Sequence, residues 1–299
     1  MSEFLQQLLN GLALGAIYAL IALGYTMVYG VLRFINFAHS DIFMVGAFAA
    51  YFAGRWFGGV LPPESPLGAA VIVLLAMSFC ALLGVVIEKL AYRPLRDRSR
   101  LNVLITAIGV SLFLEYTGQL LFGADPKTFR LLTSRNVELG GLVLNSNQLI
   151  VFGVTILLLL ALRHIVMRTR MGTAMRAVSF NHQAAALMGI NIDSIISFTF
   201  ALGSALAGAG GILYAMNYPS IDPLMGVMPG LKAFVAAVLG GIGNIPGAAL
   251  GGVVLGLVES FVRGSRYSTF ADAIAFAILI LILLFRPAGL LGRSVVEKV

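Results

Sequence analysis

Apolar residues in this chain run in long uninterrupted blocks, with none of the strict alternation that marks a half-buried strand. The blocks are Leu5 to Val31, Phe34 to Gly54, Leu67 to Ile87, Leu101 to Phe122, Leu149 to Met167, Ser194 to Met216, Met225 to Gly241, Ala248 to Val262 and Ala271 to Phe285. A helix needs about 20 apolar residues to cross a roughly 30 Å hydrocarbon core, so most blocks are long enough to span and several are marginal. The pattern predicts an all-α polytopic membrane protein of about 8-9 transmembrane helices, some of them broken or re-entrant. No linker or low-complexity tract divides the chain, and residues 1–299 read as a single membrane domain.

Composition agrees. Of 299 residues, 59% are hydrophobic and 11% charged, against roughly a quarter charged in a soluble domain. The net charge of +7 would suit nucleic acid only if the basic residues formed a patch. Instead twelve of the twenty Lys and Arg fall in three short stretches: Lys89 to Arg100, Arg163 to Arg176, and Arg286 to Lys298. The positive-inside rule places all three in the cytoplasm, the N-terminus outside and the C-terminus inside. Met1 to Phe4 carries only Glu3 as a charged side chain, unlike a cleavable signal, so the first helix is expected to be retained. The 26-residue stretch from Gly123 to Gln148 is the longest outer loop and too short for a domain that captures substrate. Cys80, the one cysteine, reads as a small filler in an apolar run. Pairs at G-x-x-x-G spacing (Gly11/Gly15, Gly226/Gly230, Gly247/Gly251, Gly252/Gly256) mark candidate helix crossings, as does the small-residue run Gly203 to Gly211.

Several chemistries find no motif. No phosphate-binding loop occurs, and the Gly-rich turn Gly240 to Gly247 lacks the lysine and hydroxyl that would hold a nucleotide and magnesium. His39, His164 and His182 lie far apart without a second ligand at helical spacing, so no metal or other cofactor is expected on this chain. No nucleophile motif or paired intramembrane carboxylates at helical spacing support an enzyme.

Ionisable residues inside apolar blocks remain as functional candidates. They are Asp41, with Asn36, His39 and Ser40 before it, then Glu115, Lys232 and Glu259. Ser40 suits an N-cap with Asp41 in the first turn, where an acid favours the helix dipole. A helix starting there reaches only about 21 Å by Gly54, so Phe34 to Ser40 is expected to be unwound or re-entrant, as at transporter sites. The plainer alternative leaves Asp41 as a cap near the cytoplasmic interface. Glu259 has Arg263 at i+4 for a local ion pair, and Lys232 has a stem long enough to snorkel.

The cytoplasmic stretch at about 168-193 is too long and too apolar for a plain loop. It predicts two short helices, Thr173 to Val178 and Asn181 to Met188, closed by Gly189. Ala174, Met175, Val178, Ala184, Ala185, Leu187 and Met188 form an apolar face that either another protein or the lipid headgroups would cover.

At this point the residues become recognisable. Met171, Gly172, Arg176, Ala177, Asn181, Ala184 to Ala186, Gly189 and Asn191 resemble the coupling region of branched-chain amino acid ABC permeases. Further matches are GAIYALIALGYTMVYG at 15–30, NFAHSDIFMVGAF at 36–48, AYRPLR at 91–96, KAFVAAVLGGIGNIPGAALGG at 232–252 and RPAGLLGR at 286–293. The whole chain is similar to the LivH-type permease subunit of that family. It departs from it at Ser40-Asp41, where the family often has glycine before the acid. The resemblance implies an ATP-driven ABC importer of leucine, isoleucine and valine in a bacterial inner membrane. Its other parts would be a second, LivM-like permease, two cytoplasmic ATPase subunits carrying ATP and magnesium, and a periplasmic branched-chain amino-acid-binding protein. It assigns Met171 to Asn191 to ATPase contact. Permeases for urea or short amides, an ion-coupled secondary carrier and an integral-membrane enzyme stand as the alternatives.

Overall fold

The computed structural model describes residues 2–292 apart from Leu61, Asp97, Thr133, Gly140 and Gly141. All nine apolar blocks form helices: α1 (Ser2–Leu32), α2 (His39–Phe57), α3 (Pro66–Ile87), α4 (Arg100–Phe122), α5 (Ser146–Arg168), α8 (Ile192–Asn217), α9 (Val227–Gly240), α10 (Ile245–Arg263) and α11 (Ala271–Phe285). Between α5 and α8 lie the short helices α6 (Arg170–Phe180) and α7 (His182–Leu187). Among the described residues seven helical segments are long and apolar enough to cross a membrane; α2 is not one of them, and α9 is too short. The basic residues Arg293 and Lys298 lie outside the described residues.

The helices run alternately between two ends. One end carries a hairpin of β2 (Asn136–Leu139) and β3 (Leu142–Asn145), and β1 (Lys127–Thr128) paired antiparallel with β4 (Ser220–Ile221). Gln6 at the start of α1 exchanges two hydrogen bonds with the Val143 backbone there. The opposite end carries α6 and α7.

Helix α1 is the axis of the bundle, with Ala13 to Val28 almost entirely buried. Lipid offers no hydrophobic drive between helices, so association depends on close backbone approach. The α1–α10 contact meets that demand: a methyl added to Gly256 would stand 2.2 Å from the Gly15 nitrogen, and one on Gly252 2.4 Å from the Ala19 nitrogen. The expected G-x-x-x-G crossings are therefore real ones, the Gly226/Gly230 pair closing on Ser40 and the Gly247/Gly251 pair on Gly240 and Ala236. Helices α3, α4, α5 and α11 present exposed apolar side chains such as Leu82, Leu120, Leu157 and Leu284, as lipid-facing helices do. Cys80 is buried as a filler against Gly208.

Two local expectations are corrected. Helix α2 is 19 residues long and starts at His39, with no side-chain cap. Ser40 instead donates its hydroxyl back to the Phe37 carbonyl, 2.8 Å away, and so does not serve as the N-cap. The helix is longer than a start at Asp41 allows because the turn at Asn36 to Ala38 supplies the first backbone bonds itself.

Candidate functional site

The first polar group forms where α1 stops and α2 begins. Arg33 takes a left-handed conformation (φ 56°), and the chain then runs without helix to Ala38. His39 rests on Tyr25 of α1, with ring centroids 4.7 Å apart, and its ring fills the space beside Gly24. Gly24 precedes the end of α1 by eight residues, so α2 starts about 12 Å inside that end. Helix α9 begins beside the same point, since Gly226 and Gly230 both close on Ser40. Two helix N-termini, each carrying partial positive charge, thus lie together within the bundle.

Asp41, 1% exposed, sits in the first turn of α2. Its carboxylate accepts from the Ser111 hydroxyl of α4 at 2.5 Å, and the Glu115 carboxyl one turn along α4 lies in hydrogen-bonding reach of it. Its side chain therefore reaches across to another helix, which the capping role did not anticipate. Asn36 is fixed by the Tyr92 hydroxyl, which donates to its Oδ1 at 2.6 Å, while its Nδ2 is buried with no partner among the described residues. Tyr92 points there because residues Glu88–Tyr92 form one turn of π-helix at the end of α3, a distortion frequent at functional sites. The structure thus gathers Asn36, His39, Ser40, Asp41 and Glu115 into one region.

Lys232 and Glu259 belong to a separate cluster nearer the hairpin end. The Lys232 ammonium, 3% exposed, meets Glu259 Oε1 at 2.7 Å and Asp272 Oδ1 at 2.5 Å. Arg263 meets the same Glu259 oxygen at 2.6 Å, as its i+4 spacing predicts, and the Tyr18 hydroxyl donates to Glu259 Oε2 at 2.8 Å. Two cations face two anions, joining α1, α9, α10 and α11. Lys232 does not snorkel, because the buried Glu259 meets it inside the bundle, with the half-exposed Asp272 closing on it from α11. Low dielectric makes such a cluster costly to form and costlier to break.

At the opposite end, α6 and α7 are built by capping side chains. Thr169, Asn181 and Asn191 accept from the Gly172, Ala184 and Ser194 amides at 3.1, 3.0 and 3.1 Å, starting α6, α7 and α8 in turn. Gly189 closes α7 at φ +82°, a conformation that disfavours side chains. The Arg176 guanidinium binds the Val166 carbonyl near the end of α5, and Gly172 lies directly on that turn. Ala177 is half-buried. The expected apolar face divides in two: Met175, Val178 and Ala185 turn inward, because α6 folds back on α5 and α8. Phe180, Leu187 and Met188 are more than 80% exposed, and Met171 is partly so. Burial, and then the nearby charges of Arg33 and Arg96, hold the His182 imidazole below its ordinary pKa.

The profile of the family described as branched-chain amino acid transport system / permease component matches residues 7–283. The chain belongs to this family. It is 43% identical over 305 residues to the high-affinity branched-chain amino acid transport system permease protein BraD of Pseudomonas aeruginosa, covering 99% of this chain and 98% of that one. It is 41% identical to the LivH protein of Escherichia coli K12 with the same coverage. A probable LivH protein of Methanocaldococcus jannaschii is 30% identical over 91% of this chain and 88% of its own length.

In this permease four polar residues escaped the sequence reading as site residues. Ser111 and Tyr18 carry no charge to mark them in an apolar block. Asp272 sits at the start of α11 and reads as a helix-dipole acid. Glu88 stands beside a basic loop, yet it is wholly buried, paired with Arg96 and accepting from the Ser197 hydroxyl at 2.6 Å. Arg93 and Arg96 also pair with Asp193 in the first turn of α8.

Proposed function

We propose that this chain is the membrane permease subunit of an ATP-driven importer that carries leucine, isoleucine and valine across a bacterial inner membrane. The near end-to-end likeness to BraD carries this reading. The assembly it calls for is a second, LivM-like permease alongside, two ATPase subunits below and a periplasmic amino-acid-binding protein above. ATP and magnesium sit on the ATPases, this chain holding no cofactor and meeting no nucleic acid. The α6–α7 end is cytoplasmic, as its arginines favour, so the N-terminus is outside and the C-terminus inside.

Residues 168–193 are the coupling region. Phe180, Leu187 and Met188 are large apolar side chains held clear of the bundle on a well-capped scaffold, which suits a groove on another protein. Met171 and Ala184 flank that contact, while Gly172, Arg176, Ala177, Asn181, Gly189 and Asn191 shape the helices that present it. A push on α7 reaches α8 through Asn191 and Asp193. Asp193 passes it to Arg93 and Arg96, Arg96 to Glu88, and the π-turn that holds Glu88 also holds Tyr92 against Asn36. ATPase closure would in this way shift the polar group around Asp41 between two arrangements, the differential contact that alternating access needs.

Asn36, Ser40, Asp41 and Glu115 line the path, with His39 wedging α2 against α1. Lys232 and Glu259 brace its wall. Proteoliposomes holding both permeases and both ATPases test the reading: leucine uptake should require ATP and the binding protein, and Asp41→Asn should lower it at least about tenfold without loss of ATP hydrolysis. Uptake of urea or amides with leucine excluded would overturn the substrate; uptake driven by an ion gradient without ATP would overturn the class.

A further inference from the structure

Near the hairpin end a recess lies between α2, α3 and the end of α4. Its cavity of about 330 Å³ is lined by Val45, Phe52 and Trp56 of α2, Leu75 and Phe79 of α3 and Phe122 of α4, and all its lining side chains among the described residues are aliphatic or aromatic. The Phe52 ring lies 5.8 Å from Trp56 and 5.5 Å from Phe122, centroid to centroid, so the aromatic wall is continuous. Trp56 is 75% exposed and Phe79 about half-exposed, and the recess therefore opens outward from the bundle.

Depth and charge together say what fills it. From Val45 to Trp56 the recess follows α2 for about 17 Å, close to the roughly 15 Å of hydrocarbon in one leaflet. A spanning helix of a protein partner would need a face that continues through the core, and on α2 none does: Ile42, Phe43 and Met44 beyond the recess are wholly buried inside the chain. At the other end Arg55 is exposed in the last turn of α2, three residues after Phe52 and so its neighbour on the helix surface. Arg55 and Arg130 together line the adjoining cavity on α2, and among the described residues neither meets a carboxylate. An apolar slot one leaflet deep, with unpaired cations and a tryptophan at its mouth, has the chemistry of a phospholipid seat: hydrocarbon below and an anionic phosphate at the interface.

We infer that this recess is a specific site for an anionic phospholipid of the leaflet at the hairpin end, one acyl chain lying along Phe52 and Trp56 and the headgroup phosphate on Arg55. The guanidinium fork suits a phosphate, and Arg130 adds positive potential beside it. A seated tail braces α2 against α3, and α2 carries Asp41 in its first turn. The inference needs only that the chain spans a membrane, and depends neither on the solute nor on the partner subunits.

Trp56 is the one tryptophan of the chain, so its fluorescence reports on this site alone. The full chain is reconstituted in phosphatidylcholine vesicles in which an increasing fraction of the lipid is replaced by phosphatidylglycerol or phosphatidylcholine brominated on the acyl chains, which quench the indole on contact. Brominated phosphatidylglycerol should quench at a mole fraction at least about threefold lower than brominated phosphatidylcholine. Arg55→Gln should remove that preference and Arg55→Glu reverse it, while Arg135→Gln, a change at the same end but outside both cavities, should keep it. Equal quenching by the two lipids would mean ordinary boundary lipid. Shielding of Trp56 from both would mean that a protein surface, such as a second copy of the chain, covers the recess. Either result overturns the inference, as does a preference that survives Arg55→Glu.

Discussion

Lys232 is the residue whose fate the chain's chemistry dictates most sharply. Its ammonium is almost wholly buried and holds Glu259 and Asp272 together from two other helices. Removing it leaves the buried Glu259 to Arg263 and the Tyr18 hydroxyl alone, so Lys232→Met should destabilise the permease by about 1–3 kcal/mol, less than a buried charge left wholly unpaired would cost. Thermal unfolding in detergent reads this as a lowered midpoint, and adding Glu259→Gln should restore part of it. An unchanged midpoint for Lys232→Met would mean the cluster is not a brace. Sequence flagged Lys232 and Glu259 because a charge in an apolar block stands out. It did not reveal their pairing, since Asp272 is forty residues further on and meets Lys232 only once α9 and α11 pack. Ser111 was illegible for the opposite reason: a hydroxyl in an apolar helix is common and carries no signal until Asp41 is placed against it.

Among elements, the nine apolar blocks were legible as helices, and in seven segments length and hydropathy suffice for a membrane span. Caps were less so. Ser40 has the composition of an N-cap, yet its hydroxyl turns back to Phe37, and the break in the chain falls at Arg33 to Ala38. The π-turn at Glu88–Tyr92 has no sequence signature, although it aims both Glu88 and Tyr92. The one apolar face expected on α6 and α7 proves to be two. Their inner face, with Met175, Val178 and Ala185, anchors them to the bundle, and their outer tip carries Phe180, Leu187 and Met188. These roles separate experimentally. Leu187→Ser should reduce co-purification of the ATPase subunits severalfold while the permease inserts and unfolds normally. Gly189→Val should do the same through strain, since a branched side chain at φ +82° is costly. Arg176→Glu should additionally loosen α6, because its guanidinium ties that helix to the end of α5. Normal ATPase recovery with all three variants would remove this region from the coupling role.

For the whole molecule, scarcity of charge within the spans acquires a meaning. The buried charges Asp41, Glu88, Lys232 and Glu259 each sit in a cluster with more exposed partners: Asp41 with Glu115, the Lys232–Glu259 brace, and the Glu88–Arg96–Asp193 chain that leads toward α7. The last of these connects the exposed tip of α6 and α7 to Asn36, and so to the break between α1 and α2. If ATPase closure moves that chain, the surroundings of Ser111 must change with it, for Ser111 is bonded to Asp41. Alkylation of a Ser111→Cys permease in the assembled importer measures this directly, the native Cys80 being buried and silent. The rate should differ by about tenfold or more between the resting and the ATP-trapped complex, and the difference should vanish when Asp193→Asn is added. Equal rates in both states, with ATP hydrolysis intact, would contradict a path at Asp41 that is opened from the coupling helices.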